Sequence, residues 1–290
     1  MGLKCLAVLQ SRFSYQIITC TSLFFLVTAC TENGTPPQLD AYVYPSVPAS
    51  TRCETGVRPG LAGAIDGKVS ADGIRYMVRT PSNYDATFAH PLLMVYAPAG
   101  QSRWGTERFT GLTTAATAAG FVVAYVDHRP LSVPSIEQLG TIPGLVAKEW
   151  CIDEHRVYVT GHSDGGTVSS ALAVLEQTKK VPTAIAPSAA GVTSKDLEAY
   201  QCPAPIPVMI MHNKNDSLFP GWGAQTATWW GACNHCDVTK TKNVEGGCLA
   251  YQGCASNGPT LYCEGTGSHR DWPNLNRVML EFFTHPEKFQ

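Results

Sequence analysis

Residues 156–166 read Arg-Val-Tyr-Val-Thr-Gly-His-Ser-Asp-Gly-Gly. The β-branched and aromatic side chains of Val157–Thr160 favour a strand, and the small-residue run Thr167–Gln177 favours a helix. Gly161 and Gly165 flank Ser163 between them. A chain turning this sharply from strand to helix leaves no room for a side chain on either side of the turning residue. Ser163 is thereby held at the end of a sheet with its hydroxyl exposed. It also sits at a helix N-terminus, where free N–H groups and the helix dipole favour developing negative charge. A plain Gly/Ser loop is the competing reading, and the two flanking elements argue against it. Ser163 is the candidate nucleophile.

Strands and helices alternate around this turn. Gly73–Thr80 reads as an early strand ending at Pro81, and Pro91–Ala97 as a buried apolar strand opening into Pro98-Ala99-Gly100-Gln101. Phe109–Ala118 has helical character, and Phe121–Val126 is a further buried strand. A helix is expected over Ser135–Trp150, disturbed by Pro143. Thr183–Ala186 and Val208–His212 are two more strands, and Asn274–Phe283 reads as an amphipathic helix. Such alternation implies an α/β architecture with a mostly parallel central sheet and helices on both faces. Ligands in such sheets bind at the carboxyl ends of the strands, where Ser163 lies.

A serine hydroxyl needs a base within hydrogen-bond reach, and the base needs a group that fixes its tautomer. Around this kind of turn the acid and then the histidine follow the serine in sequence. Three histidines lie between the helix after Ser163 and the terminal helix: His212, His235 and His269. His269 stands in Gly265-Thr-Gly-Ser-His, a flexible loop able to bring an imidazole over the sheet edge, and is the candidate base. His212 closes an apolar strand, where a satisfied structural histidine is expected. His235 is wedged between Cys233 and Cys236. Asp216, just past the Val208–His212 strand, is the candidate acid. Asp127 is the runner-up but precedes the serine, Asp153 and Asp164 read as structural, and Asp271 as a surface or substrate-side residue. For an oxyanion, one donor would be the backbone N–H of Asp164 and the other that of Ala99, Gly100 or Gln101. Pro98 has no N–H to give.

The N-terminus carries Lys4 and Arg12 and no acidic residue before Glu32. Ile17–Ala29 is mostly apolar, too short to span a bilayer comfortably, and ends in Val-Thr-Ala-Cys30. Residues 1–29 are therefore expected to be a signal peptide, with 30–52 a Pro- and Ser-rich flexible tether and 53–290 one domain. The Val-Thr-Ala-Cys30 ending resembles a bacterial lipoprotein signal, which implies lipidation of Cys30 and an exported, envelope-anchored chain. Outer-membrane placement is implied for a Gram-negative host, and an ordinary secretory signal is the alternative. Without Lys4 and Arg12, 19 Lys and Arg stand against 23 Asp and Glu, with no basic stripe, so nucleic acid is not an expected partner.

Eight cysteines lie beyond Cys30: Cys53, Cys151, Cys202, Cys233, Cys236, Cys248, Cys254 and Cys263. An even number in an exported chain implies disulfides. Five fall between 233 and 263, so full pairing requires at least one bridge leaving that cluster. A zinc site from Cys233, Cys236, Cys248 and Cys254 is the alternative, disfavoured by compartment and spacing.

Taken together, the Ala99-Gly100-Gln101 loop, the stretch Ile152–Gly161, the Ser163 turn with its double glycine, Asp216 with Pro220 downstream, and Gly265–His269 followed by Trp272-Pro273 carry a resemblance. Over about residues 65 to 285 the chain resembles extracellular α/β-hydrolase esterases: feruloyl esterases, acetylxylan esterases and polyhydroxybutyrate depolymerase-like proteins. It departs from them at Ala97-Pro98, where His-Gly is usual, and in having both Arg270 and Asp271 between the histidine and Trp-Pro. The resemblance implies a disulfide-stabilised α/β-hydrolase fold and a serine carboxylic-ester hydrolase needing neither metal nor cofactor. Its substrates would be feruloyl or acetyl esters of polysaccharides, or polyesters. Trp104, Trp222 and Trp272 are candidate substrate contacts, and Trp229 and Trp230 follow the acid nearby. A serine peptidase on the same fold and a non-catalytic glycan-binding lipoprotein are the alternatives.

Overall fold

The computed structural model describes Leu39, residues 41–45 and residues 52–290. The expected signal segment, Cys30 and the rest of the expected tether lie outside the described residues. Part of that tether is docked. The Tyr42 backbone exchanges two hydrogen bonds with the Asn83 side chain. The Tyr44 ring packs edge-on against Phe88, and its hydroxyl accepts from the Asp85 N–H. Two aromatic residues set two apart give this stretch apolar surface that a Pro/Ser reading overlooks.

Among the described residues, ten strands form one sheet in the order β1-β2-β4-β3-β5-β6-β7-β10-β9-β8. The strands are β1 Ala64–Val69, β2 Arg75–Arg79, β3 His90–Tyr96, β4 Val122–Val126, β5 Ile152–His162, β6 Ala184–Ser188, β7 Val208–Asn213, β8 Asp237–Val244, β9 Cys248–Gln252 and β10 Thr260–Gly265. The stretch from β4 across to β10 is parallel throughout, while β1, β2, β9 and β8 pair antiparallel at the two edges. The sheet is thus mostly parallel only in its centre. Buried β3, with Leu92, Met94 and Tyr96 on one face and Leu93 and Val95 on the other, is apolar from Pro91 onward because both faces are covered.

The helices divide accordingly. α3 (Val133–Leu139), α4 (Ile142–Glu149), α5 (Asp164–Leu172), α6 (Ser194–Leu197) and α7 (Trp222–Cys233) bury Ile136, Val146, Leu172, Leu197 and Trp230 on the Leu92 face. α2 (Leu112–Ala118) and α8 (Asn276–Thr284) bury Leu112, Ala116, Met279 and Phe282 on the Leu93 face. The helix expected over Phe109–Ala118 is two: α1 (Arg103–Thr110) stops at Gly111, whose φ of 59° is left-handed. The helix expected over Ser135–Trp150 also divides, at Gly140-Thr141. Pro143 starts α4 in the first turn, where its missing N–H costs nothing.

All eight cysteines pair: Cys53–Cys151, Cys202–Cys233, Cys236–Cys254 and Cys248–Cys263. Cys202–Cys233 is the bridge that leaves the C-terminal cluster. The zinc alternative fails because every thiolate it needs is already in an S–S bond.

Candidate active site

The turn between β5 and α5 shows why its glycines are there. A Cβ on Gly161 would lie 2.5 Å from the Gly165 carbonyl carbon, and one on Gly165 would run into the carbonyl oxygen of Tyr96. One on Gly166 would meet the carbonyl of Ser188. β5 and α5 can therefore press against the ends of β3 and β6 only with hydrogen at these positions. Ser163 takes φ 54° and ψ −117°, a conformation that L-residues seldom adopt, held by its own N–H donating to the Ser188 carbonyl at 3.0 Å.

His269 Nε2 lies 3.0 Å from Ser163 Oγ, and His269 Nδ1 lies 2.8 Å from Asp216 Oδ2. A carboxylate only accepts, so Nδ1 carries the proton and the bare Nε2 of the neutral ring accepts from the serine hydroxyl. Three side chains separated by up to 106 residues thus form one hydrogen-bonded row. Burial pushes the Asp216 carboxyl up, but the hydrogen bonds from His269 and the Phe219 N–H outweigh it and hold the group below its usual value. Its other oxygen accepts from the N–H groups of Leu218 and Phe219, both at 2.9 Å, so the acid is anchored by backbone.

The loop bearing His269 is held from two directions. Asn213, the last residue of β7, donates from Nδ2 to the carbonyls of Ser268 and Asp271 at 2.8 and 2.7 Å. The Asp271 carboxylate accepts from Ser268 N–H and Oγ, closing a tight turn around His269. Asp271 thus shapes the base loop, and the extra residue before Trp272 is absorbed in that turn. From the serine side, buried His162 approaches the His269 carbonyl with Nε2 at 2.7 Å and Ser188 Oγ with Nδ1 at 3.0 Å. The carbonyl can only accept, so Nε2 carries the proton and the Ser188 hydroxyl donates to Nδ1. Burial, opposed by this carbonyl bond, takes the His162 pKa down to about 4, and the ring is neutral at pH 7.

Some expectations are revised. The Gln101 N–H donates to the Pro98 carbonyl at 3.0 Å across a turn with Gly100 at φ 70°, so it is engaged, leaving Ala99 and Gly100 as the loop's oxyanion candidates. Both are exposed. Asp164 opens α5, ahead of the helix's own N–H ladder. Asp127 is consumed by Arg103, which donates to both of its oxygens. His212 is buried, but not satisfied: neither ring nitrogen has a hydrogen bond among the described residues, and Nε2 stands 3.6 Å from Asp216 Oδ2. Burial lowers its pKa. Its ring fits because the facing Gly223 lacks a side chain.

The tryptophans separate. Trp104 is 41 % exposed and lies on the Arg103 guanidinium, 3.6 Å from its ring centre. Trp222 stacks on Phe219 at 4.6 Å, and Phe219 meets the His269 ring edge-on at 4.9 Å. Trp272 is half-buried, its Nε1 donating to Asn276, beside Phe109 and His162. Trp230 is wholly buried with Trp229 against it, so both belong to the packing of α7. His162, Asn213 and Phe219 escape sequence reasoning. The neighbouring Ser163 motif carries a signal only for His162.

No protein-family model matches the chain. Among solved structures it is similar to an acetyl xylan esterase from Aspergillus awamori, with TM-score 0.59, 14 % identity, and 78 % of this chain and 99 % of that chain covered. It is also similar to an S-formylglutathione hydrolase from Staphylococcus aureus, with TM-score 0.52, 14 % identity and 76 % and 96 % covered. A fluorophosphonate-binding serine hydrolase from Staphylococcus aureus gives TM-score 0.51, 15 % identity and 78 % and 98 % covered. With the sheet order and the turn at Ser163, these likenesses define the class: the chain has the α/β-hydrolase fold.

Proposed function

We propose that this protein is a serine carboxylic-ester hydrolase with Ser163 as nucleophile, His269 as base and Asp216 as the acid that orients it. The observation that carries the reading is the unbroken row from Asp216 through His269 to Ser163, 2.8 and 3.0 Å per link, on a strained turn at a helix N-terminus. His269 takes the hydroxyl proton as Ser163 Oγ attacks the ester carbonyl, and Asp216 stabilises the imidazolium. The N–H of Asp164, with that of Ala99 or Gly100, holds the tetrahedral oxyanion. The imidazolium then protonates the leaving alcohol, and water, activated by the same ring, releases the acid.

Feruloyl or acetyl esters on polysaccharide, or aliphatic polyesters, are the substrates we favour. The fold neighbour that is an acetyl xylan esterase supports this choice, as does Trp104, an exposed ring fixed from below by a guanidinium and suited to stacking on a sugar or phenolic acid. Lipidation at Cys30 and an exported location belong to the same proposal and rest on the sequence alone.

Ser163→Ala is expected to lower p-nitrophenyl acetate turnover by about 10⁴-fold or more with the fold intact. Unchanged turnover would refute the assignment. Side-by-side release from methyl ferulate, acetylated xylan and polyhydroxybutyrate sorts the substrates. Amide cleavage exceeding ester cleavage would move the assignment to a peptidase. Glycan binding without fluorophosphonate labelling of Ser163 would move it to a non-catalytic lipoprotein.

A further inference from the structure

Ser163 is followed by an aspartate, and this raises an electrostatic difficulty. On the reading above, the Asp164 N–H is one of two groups that stabilise negative charge on the substrate. Its own side chain carries a negative charge a few bonds away. A carboxylate free to swing at the mouth of the site would oppose the charge that its backbone is there to stabilise.

The structure shows where that carboxylate goes. Asp164 Oδ2 lies 2.9 Å from His128 Nε2, and both side chains are largely buried. His128 follows β4, and Asp164 follows β5. The sheet order here is β4-β3-β5, so the loop 98–101 leaves the end of the strand between them. The His128 N–H donates to the carbonyl of Gln101 at 3.1 Å, the last residue of that loop. His128 therefore grips the oxyanion loop with its backbone and the residue after the nucleophile with its ring. Asp127, the carboxylate next to it in sequence, is already bonded to Arg103, which leaves Asp164 as the acid in contact with this imidazole.

We propose that His128 is a positioning residue for the oxyanion site. Its ring binds the Asp164 carboxylate on the β4 side, keeps its charge directed away from the developing oxyanion, and ties the Ala99-Gly100 turn to the start of α5. A tie of this kind suits a loop that begins Ala97-Pro98, since Pro98 has no N–H with which to brace itself. The inference rests on the ester-hydrolase reading and deepens it.

The test compares His128→Leu, His128→Gln and the double variant His128→Leu with Asp164→Asn, reading kcat and KM for p-nitrophenyl acetate and the affinity of a boronic acid that forms a tetrahedral adduct on Ser163. His128→Leu is expected to lower kcat by about tenfold to a hundredfold, less than the loss of a whole oxyanion donor, with KM within about twofold. Boronate affinity should fall by a similar factor. His128→Gln keeps a donor for Asp164 and should retain most of kcat. Removing the charge in the double variant should recover most of what His128→Leu loses, which a merely structural role would not produce. Should His128→Leu fail to fold, His128→Ser, polar but too short to reach Asp164, makes the same comparison.

The proposal is overturned if the single variant that folds keeps wild-type kcat, or if the double variant is no better than the single. Failure of the underlying reading looks different: the wild-type protein itself would then neither turn over the ester nor label with a fluorophosphonate at Ser163.

Discussion

The centre of the sheet and its C-terminal flank are built on different principles. In the centre, β3, β4, β5 and β6 are buried along most of their length, and the backbone carbonyls of Tyr96 and Ser188 press so close to α5 that only glycine fits between. Apolar burial and close contact hold that region. In the flank, β8 reads Asp-Val-Thr-Lys-Thr-Lys-Asn-Val and is exposed over most of its length. It buries too little to hold itself in place. Cys248–Cys263 staples β9 to β10, and Cys236–Cys254 ties the start of β8 to the end of β9. The centre delivers Ser163 with little tolerance, while the outermost strand β8 is a polar addition tied on by a covalent bond.

The sharpest way to break the comparison is at Gly165. Gly165→Ala places a methyl group against the Tyr96 carbonyl and should cost about 5 kcal/mol or prevent folding, measured by urea unfolding. No single substitution on the exposed face of β8 should come near it. Next come the staples, where the closed loop sets the scale. Cys53–Cys151 encloses 98 residues and Cys248–Cys263 encloses 15. Replacing both cysteines by alanine should cost about 4.7 kcal/mol for the first and about 3 kcal/mol for the second by loop entropy. With the flank bridge removed, ester turnover by the folded protein should persist at low temperature, because β10 is still paired with β7; its loss would mean that the bridge is needed to place the His269 loop.

Acid should act on the centre. Burial lowers the pKa of His90, His162 and His212, which all lie in the parallel region, and takes His162 from 6.5 to about 4. Between those values the unfolded chain binds more protons than the folded one, so stability rises with pH across that window and falls as acid is added. His162 alone accounts for about 3 kcal/mol. Asp216, with its pKa held low, works at more acid pH: its contribution is present above about 3.8 and is lost as pH falls through its lower folded value. Denaturant unfolding at pH 7 and pH 4.5 measures the first effect, and a flat profile would contradict the neutral buried imidazoles. The smallest effect is expected at exposed Trp104, the proposed substrate contact. Trp104→Ala should raise KM for methyl ferulate about threefold to tenfold, and more than it does for p-nitrophenyl acetate.

The same division explains what could be read from the sequence. The runs Pro91–Ala97 and Phe121–Val126 announce buried strands because each is apolar throughout, and Gly-x-Ser-x-Gly between a strand and a helix leaves few conformations open. The order of serine, acid and histidine then selects Asp216 and His269 from few candidates. β8 carries no such pattern because it is polar and largely exposed, and the disulfides across β8 to β10 have a pairing that no spacing rule specifies. α7, with Trp222, Trp229 and Trp230, has apolar residues on all sides and thus no helical stripe to detect. Asn213 and His128 act through contacts between residues tens of positions apart, and at single positions an asparagine or histidine looks like any loop residue. The engagement of the Gln101 N–H depends on a turn whose type becomes visible only once Gly100 is seen with positive φ.

Cys53 is bonded to Cys151, which immediately precedes β5 near the middle of the sheet. A load that reaches Cys53 from the chain ahead of it therefore has a covalent path across the sulfur bridge to that central strand. The intervening stretch, with β1 to β4, is bypassed by the bridge and cannot be drawn out while the bridge holds. Pulled from its N-terminal side, the chain would not pay out β1 to β4 one by one, and the strand delivering Ser163 would bear the load once the bridge is taut.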